Sequence, residues 1–143
     1  MLSEEVDFHN IFKISSTAMA LLTADLVIVD ANDEFVASCG RPLEALVGHN
    51  MFELFPKMPA DPGGDPKWTV LEAALTSGKR EVDELSRYDV EDPERPGEFK
   101  ERYWTAVVTP LRGASGEIEM LELSSREVTA IIEKFRALQA EED

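Results

Sequence analysis

Acidic residues after an apolar run are the first place where this sequence could do chemistry. Residues 27–29 are Val-Ile-Val, followed by Asp30 and then by Asp33. Carboxylates at a strand end can hold magnesium around a phosphorylatable aspartate, but that arrangement belongs to alternating strands and helices in a parallel sheet. The chain after Gly78 is instead a series of strand-like runs separated by glycine and proline. This pattern argues against a phosphoacceptor domain.

The histidines, the cysteine and the remaining acids do not form a recognisable site. His9, His49 and Cys39 lie far apart and are too few to predict a zinc site. Asp61 and Asp65 lie near glycines, but their spacing departs from a calcium loop and prolines stiffen the segment. The sequence has no G-x-S-x-G and no phosphate-binding loop. We therefore predict no catalytic residue, no metal site and no enzyme activity.

The composition is that of an acidic globular domain. The 143 residues are 43% hydrophobic and 30% charged, which suits one domain with its own core. The 29 acids and 14 bases give a net charge of −15, which repels phosphate backbones and anionic lipids. No apolar run approaches the ~20 residues that span a bilayer. We expect a cytoplasmic protein that binds neither nucleic acid nor membranes.

Two apolar runs in the first half predict a β-hairpin. They cover residues 19–22 and 26–29, and Thr-Ala-Asp divides them. Side chains alternate between the two faces of a strand. Because Asp30 needs water or a partner, we expect Val27 and Val29 to face the interior.

Short helices follow the hairpin and one longer helix ends the first half. Asn32 is a favourable N-cap for the first helix, and Pro42 is suited to open the second. Gly48 is a stop signal after the second of these helices, and Gly78 is a stop signal after the longer helix that ends the first half. The predicted helices cover residues 33–38, 43–47, 51–55 and 67–77.

The second half contains three extended runs, over residues 81–90, 98–109 and 117–125, separated by turn-rich segments. Which side chains of these runs face inward stays open. Five strands joined by hairpins and one helical crossover predict an α+β fold with an antiparallel sheet of order 2-1-5-4-3 and helices on one face. Amphipathic helices are predicted at both ends, over residues 2–14 and from residue 128 onward.

The order and spacing of these segments resemble a PAS domain. The strand and helix DLVIVDANDEF (25–35), the segment GRPLEALVG (40–48) and the turn FELFP (52–56) are similar to recurrent PAS segments. Glu127-Val128-Thr129 resembles the closing Asp-Ile-Thr, with Glu in place of Asp. The resemblance covers about residues 6–129. Tyr88-Asp89 and the segment ERYW further resemble a bacterial subgroup found ahead of histidine kinases and serine phosphatases.

The resemblance implies a small-molecule pocket between the sheet and the longer helix. Met51 stands where flavin photoreceptors of the family carry a reactive cysteine, and a thioether cannot form the thiolate adduct. The longer helix has no histidine, which argues against haem. A noncovalent flavin, a fatty acid, another small apolar ligand and an empty core stay open. The candidate ligand-binding residues are Val27, Val29, Phe35, Met51, Leu54, Phe55, Trp68, Leu71, Tyr88 and Trp104, of which Tyr88 and Trp104 carry polar groups that could orient a ligand.

The resemblance implies a sensory module without catalysis. We expect an N-terminal capping helix (1–16), a sensor domain (17–127) and a signalling helix (128–143) that passes the ligand state to a histidine kinase or serine phosphatase output domain, in cis or in trans. A near-heptad series predicts that this helix pairs two copies into a homodimer. Two alternatives stay open: a small α+β enzyme using the same pocket, for example through Glu101 and Tyr103, and a dimerisation scaffold without ligand. The series consists of Val128, Ile131, Ile132, Phe135 and Leu138.

Overall fold

A computed structural model describes residues 6–56, 66–92 and 94–142, with residues 66–68 described by their backbone alone. The helices are α1 (Phe8–Ile14), α2 (Asp33–Cys39), α3 (Leu43–Leu46), α4 (Met51–Leu54), α5 (Pro66–Ser77) and α6 (Thr129–Glu142). The strands are β1 (Ala18–Thr23), β2 (Ile28–Ala31), β3 (Glu81–Arg87), β4 (Val90–Glu91), β5 (Phe99–Lys100), β6 (Tyr103–Arg112) and β7 (Ile118–Glu127).

Five strands form one antiparallel sheet in the order β2-β1-β7-β6-β3. If β4 and β5 are left out of the count, this is the predicted order 2-1-5-4-3. Helix α2 packs against β1, α3 against β2, and α5 against β3 and β6. The predicted α+β fold is confirmed. A phosphoacceptor domain is excluded because its strands would run parallel.

Two of the predicted strands are each divided in two. The run over 81–90 becomes β3 and β4, the run over 98–109 becomes β5 and β6, and the short strands β4 and β5 pair only with each other. The division falls at Tyr88 and Asp89. There the Asp89 carboxylate accepts a hydrogen bond from the Arg102 amide at 3.2 Å, while the Tyr88 amide donates to the Arg102 carbonyl at 2.9 Å.

The predicted inner face of β2 is wrong. Ile28 is buried and Val29 is 45% exposed, while Val27 is only partly buried. The pairing of β1 with β2 shifts register between Leu21 and Leu22, and a bulge of this kind breaks the two-residue alternation. Asp30 finds its partners on helix α1, so its need for a partner did not determine which face of β2 is buried.

The predicted helix over residues 2–14 is observed from Phe8. Asp7 is its N-cap, with the Asn10 amide donating to the Asp7 carboxylate at 3.0 Å. Residues 2–5 of that prediction lie outside the described residues. At the end of helix α5, the predicted stop is confirmed: Gly78 follows the helix with a left-handed φ of +69°, a conformation that glycine adopts without strain.

Asn32 links the hairpin to helix α2. It is the N-cap of this helix, and its side chain makes further hydrogen bonds to the backbone at the start of the hairpin. Its side-chain oxygen accepts from the Phe35 amide at 3.0 Å and from the Met19 amide at 2.9 Å. Its side-chain nitrogen donates to the Thr17 carbonyl at 2.7 Å. The side chain is fully buried, so these bonds have no competition from water. Removing it would leave buried backbone groups unpaired.

We expect Asn32→Ala to lower the free energy of unfolding by about 2 to 4 kcal/mol, since a cap and two further hydrogen bonds are lost in a buried position. Asn50→Ala is the matched control, because Asn50 caps the short helix α4 from a partly exposed position and makes one further bond, to the Asp25 carbonyl. Its loss should cost only about 1 kcal/mol. Urea unfolding measures both. Equal losses would contradict the role assigned to Asn32.

Candidate functional site

The inner face of the sheet is the floor of the candidate site. Over the middle of the three central strands, the inward positions alternate regularly and are buried. Ala20 lies opposite Leu123, and Ala106 lies opposite Ser125. Because alanine and serine side chains are short, the helices can approach this floor closely. The buried floor residues are Ala18, Ala20, Leu22, Trp104, Ala106, Val108, Leu121, Leu123 and Ser125.

Four helices cover this floor with apolar side chains, and the space between them is called the interior below. Each helix contributes at least one buried residue, because each presents a single apolar stripe to the sheet. These residues form one continuous cluster with the floor. The buried helix residues are Phe35 on α2, Leu46 on α3, Met51 and Leu54 on α4, and Val70, Leu71 and Ala74 on α5.

Most of the predicted ligand-binding residues meet in the interior. Val29 does not, since it is exposed, and Val27 and Phe55 are only partly buried. The side chain of Trp68 lies outside the described residues. The other predicted residues are buried together: Phe35, Met51, Leu54, Leu71, Tyr88 and Trp104. Their contact with a ligand stays a prediction.

Tyr88 and Trp104 use their polar groups on the protein itself. The Trp104 indole nitrogen donates to the Tyr88 carbonyl at 2.8 Å, and the Tyr88 hydroxyl donates to the Pro56 carbonyl at 2.8 Å. The Phe55 ring meets the Tyr88 ring edge-on, with centroids 6.4 Å apart. Both donors that were expected to orient a ligand therefore hold β6, the β3–β4 break and the end of α4 together.

An ion-pair network joins this corner of the interior to helix α6. Arg87, next to Tyr88, contacts Glu101 at 3.1 Å through its guanidinium. Glu101 also contacts Arg136 of α6, at 3.4 Å. The Arg136 guanidinium in turn donates to the Tyr103 hydroxyl at 2.8 Å and lies over the Tyr103 ring. We call Arg87, Glu101, Tyr103 and Arg136 the Arg136 network.

The Tyr103 hydrogen bond, together with the negative charge of Glu101, raises the pKa of Arg136 above its ordinary value. The contacts with Arg136 lie on the outer side of the domain, beside α6, and Glu101 is substantially exposed there. The one titratable pair that the sequence offered for an enzyme does not converge on the interior.

A second polar cluster joins helix α1 to strand β2. The Asp30 carboxylate contacts Lys13 and His9, each at 3.3 Å, and Lys13 also donates to the Ala31 carbonyl at 2.8 Å. Burial alone would raise the pKa of Asp30. The hydrogen bonds from the Ala31 amide, Lys13 and His9 outweigh it, so the pKa of Asp30 lies below its ordinary 3.8. The cluster docks α1 through an ionised Asp30.

Sequence reasoning missed Asp83 and Ser86. Both are buried on the inward side of β3, where the pairing with β6 shifts register between them. This bulge breaks the alternation in EVDELSR, so the sequence pattern does not indicate which side chains of the strand face inward. The signal that could have found them is the absence of a regular apolar stripe in a strand that must pack against α5.

The described part of the chain has no group of three His, Cys, Asp or Glu side chains placed to hold a metal ion. Within those same residues, no helix combines the length and apolar character that crossing a bilayer requires. His49 faces outward and contacts Glu53 at 3.5 Å.

Solved structures with the same architecture include sensory domains. A sensory box sensor histidine kinase from Vibrio cholerae is 24% identical, with 89% of this chain and 92% of that chain covered and a TM-score of 0.56. The PAS domain of a Colwellia psychrerythraea protein is 12% identical, with 91% and 99% covered and a TM-score of 0.68. The PAS domain of nitrogen regulation protein NR(II) from Vibrio parahaemolyticus is 18% identical, with 82% and 94% covered and a TM-score of 0.60.

The antiparallel sheet, its strand order and the helices over one face define the class as a PAS-like α+β domain. The family model described as PAS fold matches residues 12–131, which is most of the chain. The chain therefore belongs to the PAS family, and the resemblance noted in the sequence is confirmed. No curated protein matches it significantly.

Asp30 predicts a pH dependence. Because its pKa is lower in the folded chain than the ordinary 3.8 of the unfolded chain, ionised Asp30 stabilises the fold above that pH. The stabilisation is lost as the pH falls through the folded pKa. Wild type should therefore exceed Asp30→Asn in free energy of unfolding at about pH 6, and the difference should shrink at about pH 3.

Urea unfolding of wild type and Asp30→Asn at the two pH values measures this. Asp25→Asn is the control, since Asp25 is exposed in the hairpin turn. A difference between wild type and Asp30→Asn that is the same at both pH values would contradict the assignment.

Proposed function

We propose that this chain is a cytoplasmic bacterial sensory module that passes the state of its interior to helix α6. In this proposal, two copies pair through α6, and the output is a histidine kinase or serine phosphatase domain, in cis or in trans. The observation that carries the proposal is the continuous series of contacts from Trp104 to Arg136. The division into a capping helix (1–16), a sensor domain (17–127) and a signalling helix (128–143) belongs to the same proposal.

The series begins inside the domain. Trp104 is buried and bonded to the Tyr88 carbonyl, so a ligand that displaces either ring moves the backbone at Tyr88. Arg87 and Asp89 flank that residue and form a two-bond ion pair, each bond 3.0 Å long. A shift at Tyr88 is therefore transmitted to a rigid pair at the edge of the sheet. Bidentate pairs of this kind hold their geometry better than single contacts.

The series then crosses to α6 through Glu101. Its two carboxylate oxygens contact different partners, Arg87 on one side and Arg136 on the other. A movement of Arg87 therefore shifts the Glu101 carboxylate and changes its contact with Arg136 of α6. A ligand acts through this link only if it binds two arrangements of the network with different affinity.

The base of α6 is anchored to the sheet. The Val128 amide donates to the Tyr103 carbonyl at 2.8 Å, and the Thr129 hydroxyl accepts from the Tyr103 amide at 2.9 Å. Arg102 also contacts Glu127 at 3.3 Å. Since α6 follows β7 almost directly, a change in the angle of its first turn is carried along the whole helix.

The outer part of α6 offers a seam for a second copy. Val128, Ile131, Phe135 and Leu138 are spaced by three, four and three residues, as the a and d positions of a coiled coil are. The last three are 58%, 59% and 53% exposed. Ile132 lies beside this series and is partly buried. The same helix of another copy is the occupant that this spacing fits.

Such a short seam is marginal by itself, so a second apolar surface supports it in this proposal. Helix α1 exposes Phe8, Ile11 and Ile14. With a net charge of −15 on each copy, two copies repel each other, so they associate only if the apolar contact outweighs this repulsion. The scaffold alternative shares this dimer and differs only in lacking a ligand. Native mass spectrometry of the purified protein separates the two.

Glu101→Gln should loosen α6 without unfolding the domain. It removes the charge that holds Arg87 and Arg136 to one side chain, so amide hydrogen exchange in the first three turns of α6 should become about two- to fivefold faster. Glu98→Gln is the control, because the one ion pair of Glu98 among the described residues is with Arg95 in the β4–β5 turn, at 3.8 Å. Equal effects of the two substitutions on α6 would remove Glu101 from the relay.

Ile131→Asp should convert the dimer to monomer, since it places a charge in the centre of the apolar seam. Ala140→Asp is the matched control: it adds the same charge to the opposite side of α6, where the side chain is also exposed. Sedimentation velocity of the full chain measures both. A wild-type monomer, or an Ile131→Asp dimer of unchanged stability, would be evidence against α6 as the interface.

A further inference from the structure

An open groove of about 680 Å³ runs between helix α5 and the edge strand β3. The wall from α5 includes Val70 and Ala73, and the wall from β3 includes Asp83 and Leu85. The groove lies at the end of the interior, where the last strand of the sheet has no further neighbour.

Asp83, which lines this groove, and Ser86, three residues further along β3, are buried polar residues that each have one side-chain atom without a partner. Asp83 is 8% exposed and Ser86 is 4% exposed. Within the described structure, Oδ2 of Asp83 and Oγ of Ser86 make no hydrogen bond. The other Asp83 oxygen accepts from the Leu85 amide at 3.2 Å, so the carboxylate is held in place with one oxygen unused. Buried polar atoms without a partner are rare and destabilise a fold.

The bulge in β3 produces this arrangement. The register with β6 shifts between Asp83, opposite Ala106, and Ser86, opposite Trp104. Both residues therefore face inward although they are three positions apart, which regular alternation would not allow. Bulges are common next to binding sites because they redirect side chains in this way.

The charge of the groove selects the ligand. Of the described residues that line it, Glu81, Asp83 and Glu84 are acidic and none is basic. An unused carboxylate oxygen accepts hydrogen bonds and cannot donate them. A ligand that fits must therefore bring donors and positive charge at one end, and an apolar body for Val70, Ala73 and Leu85.

We propose that this groove binds a small organic amine, whose ammonium group donates to Oδ2 of Asp83. This proposal names the class of ligand for the sensory function proposed above. It depends on that function only for the effect that ligand binding has on α6. Binding itself is independent of whether α6 dimerises or relays a signal.

Tyramine is the probe, and 4-ethylphenol, which has the same ring without the ammonium group, is its control. Titrations of the 143-residue chain followed by amide NMR should show saturable shifts confined to β3 and α5 with tyramine and no such shifts with 4-ethylphenol. Asp83→Asn should weaken tyramine binding at least tenfold, a loss on the scale expected for a buried charge-assisted bond. Glu72→Gln, an exposed charge change on α5, should change it less than twofold, roughly the effect of a screened surface charge.

Thermal unfolding supplies a second test. Without ligand, Asp83→Asn and Ser86→Ala should melt at the same temperature as wild type or higher, because each removes an unpartnered buried group. Tyramine should raise the melting temperature of wild type and not that of Asp83→Asn. The proposal is overturned if tyramine shifts resonances over the whole acidic surface or none at all, or if Glu72→Gln weakens binding as much as Asp83→Asn. Failure here would leave the sedimentation and hydrogen-exchange results of the proposed function unaffected.

Discussion

The need of two buried aromatic residues for hydrogen-bond partners organises this domain. Tyr88 and Trp104 extend a hydroxyl and an indole nitrogen into an apolar interior, where an unpaired donor is costly. The Trp104 donor is satisfied by the Tyr88 carbonyl, and the Tyr88 hydroxyl by the Pro56 carbonyl. This arrangement coincides with the break between β3 and β4. The break in turn places the half-exposed Arg87 beside Asp89, where the Arg136 network begins.

Two aspartates show how differently the domain treats similar side chains. Asp30 has hydrogen bonds from an amide, a lysine and a histidine, and its charge docks helix α1. Asp83 is more deeply buried and has one oxygen without a partner. The first is a structural contact between elements. The second destabilises the free protein, which is the usual mark of a group that serves a function beyond folding.

The fold was largely predictable because it depends on local patterns. The apolar runs, the Asn32 cap and the Gly78 stop give the element order, and the order of antiparallel hairpins around one crossover gives the sheet. Val29 was misplaced because a register shift cannot be read from alternation. The same reason hid Asp83 and Ser86 in β3. The Arg136 network was not predictable, because Arg136 meets Glu101 and Tyr103 across 35 and 33 positions in sequence.

The link between the interior and α6 is tested most directly at Tyr88. Tyr88→Phe keeps the buried ring and removes the hydroxyl that donates to the Pro56 carbonyl. Amide hydrogen exchange in α6, measured relative to the amides of β7, should become faster in this variant. Adding Glu101→Gln should then increase it less than Glu101→Gln does alone, since both act on one path. Unchanged exchange in α6 of Tyr88→Phe, or effects that simply add, would contradict the account.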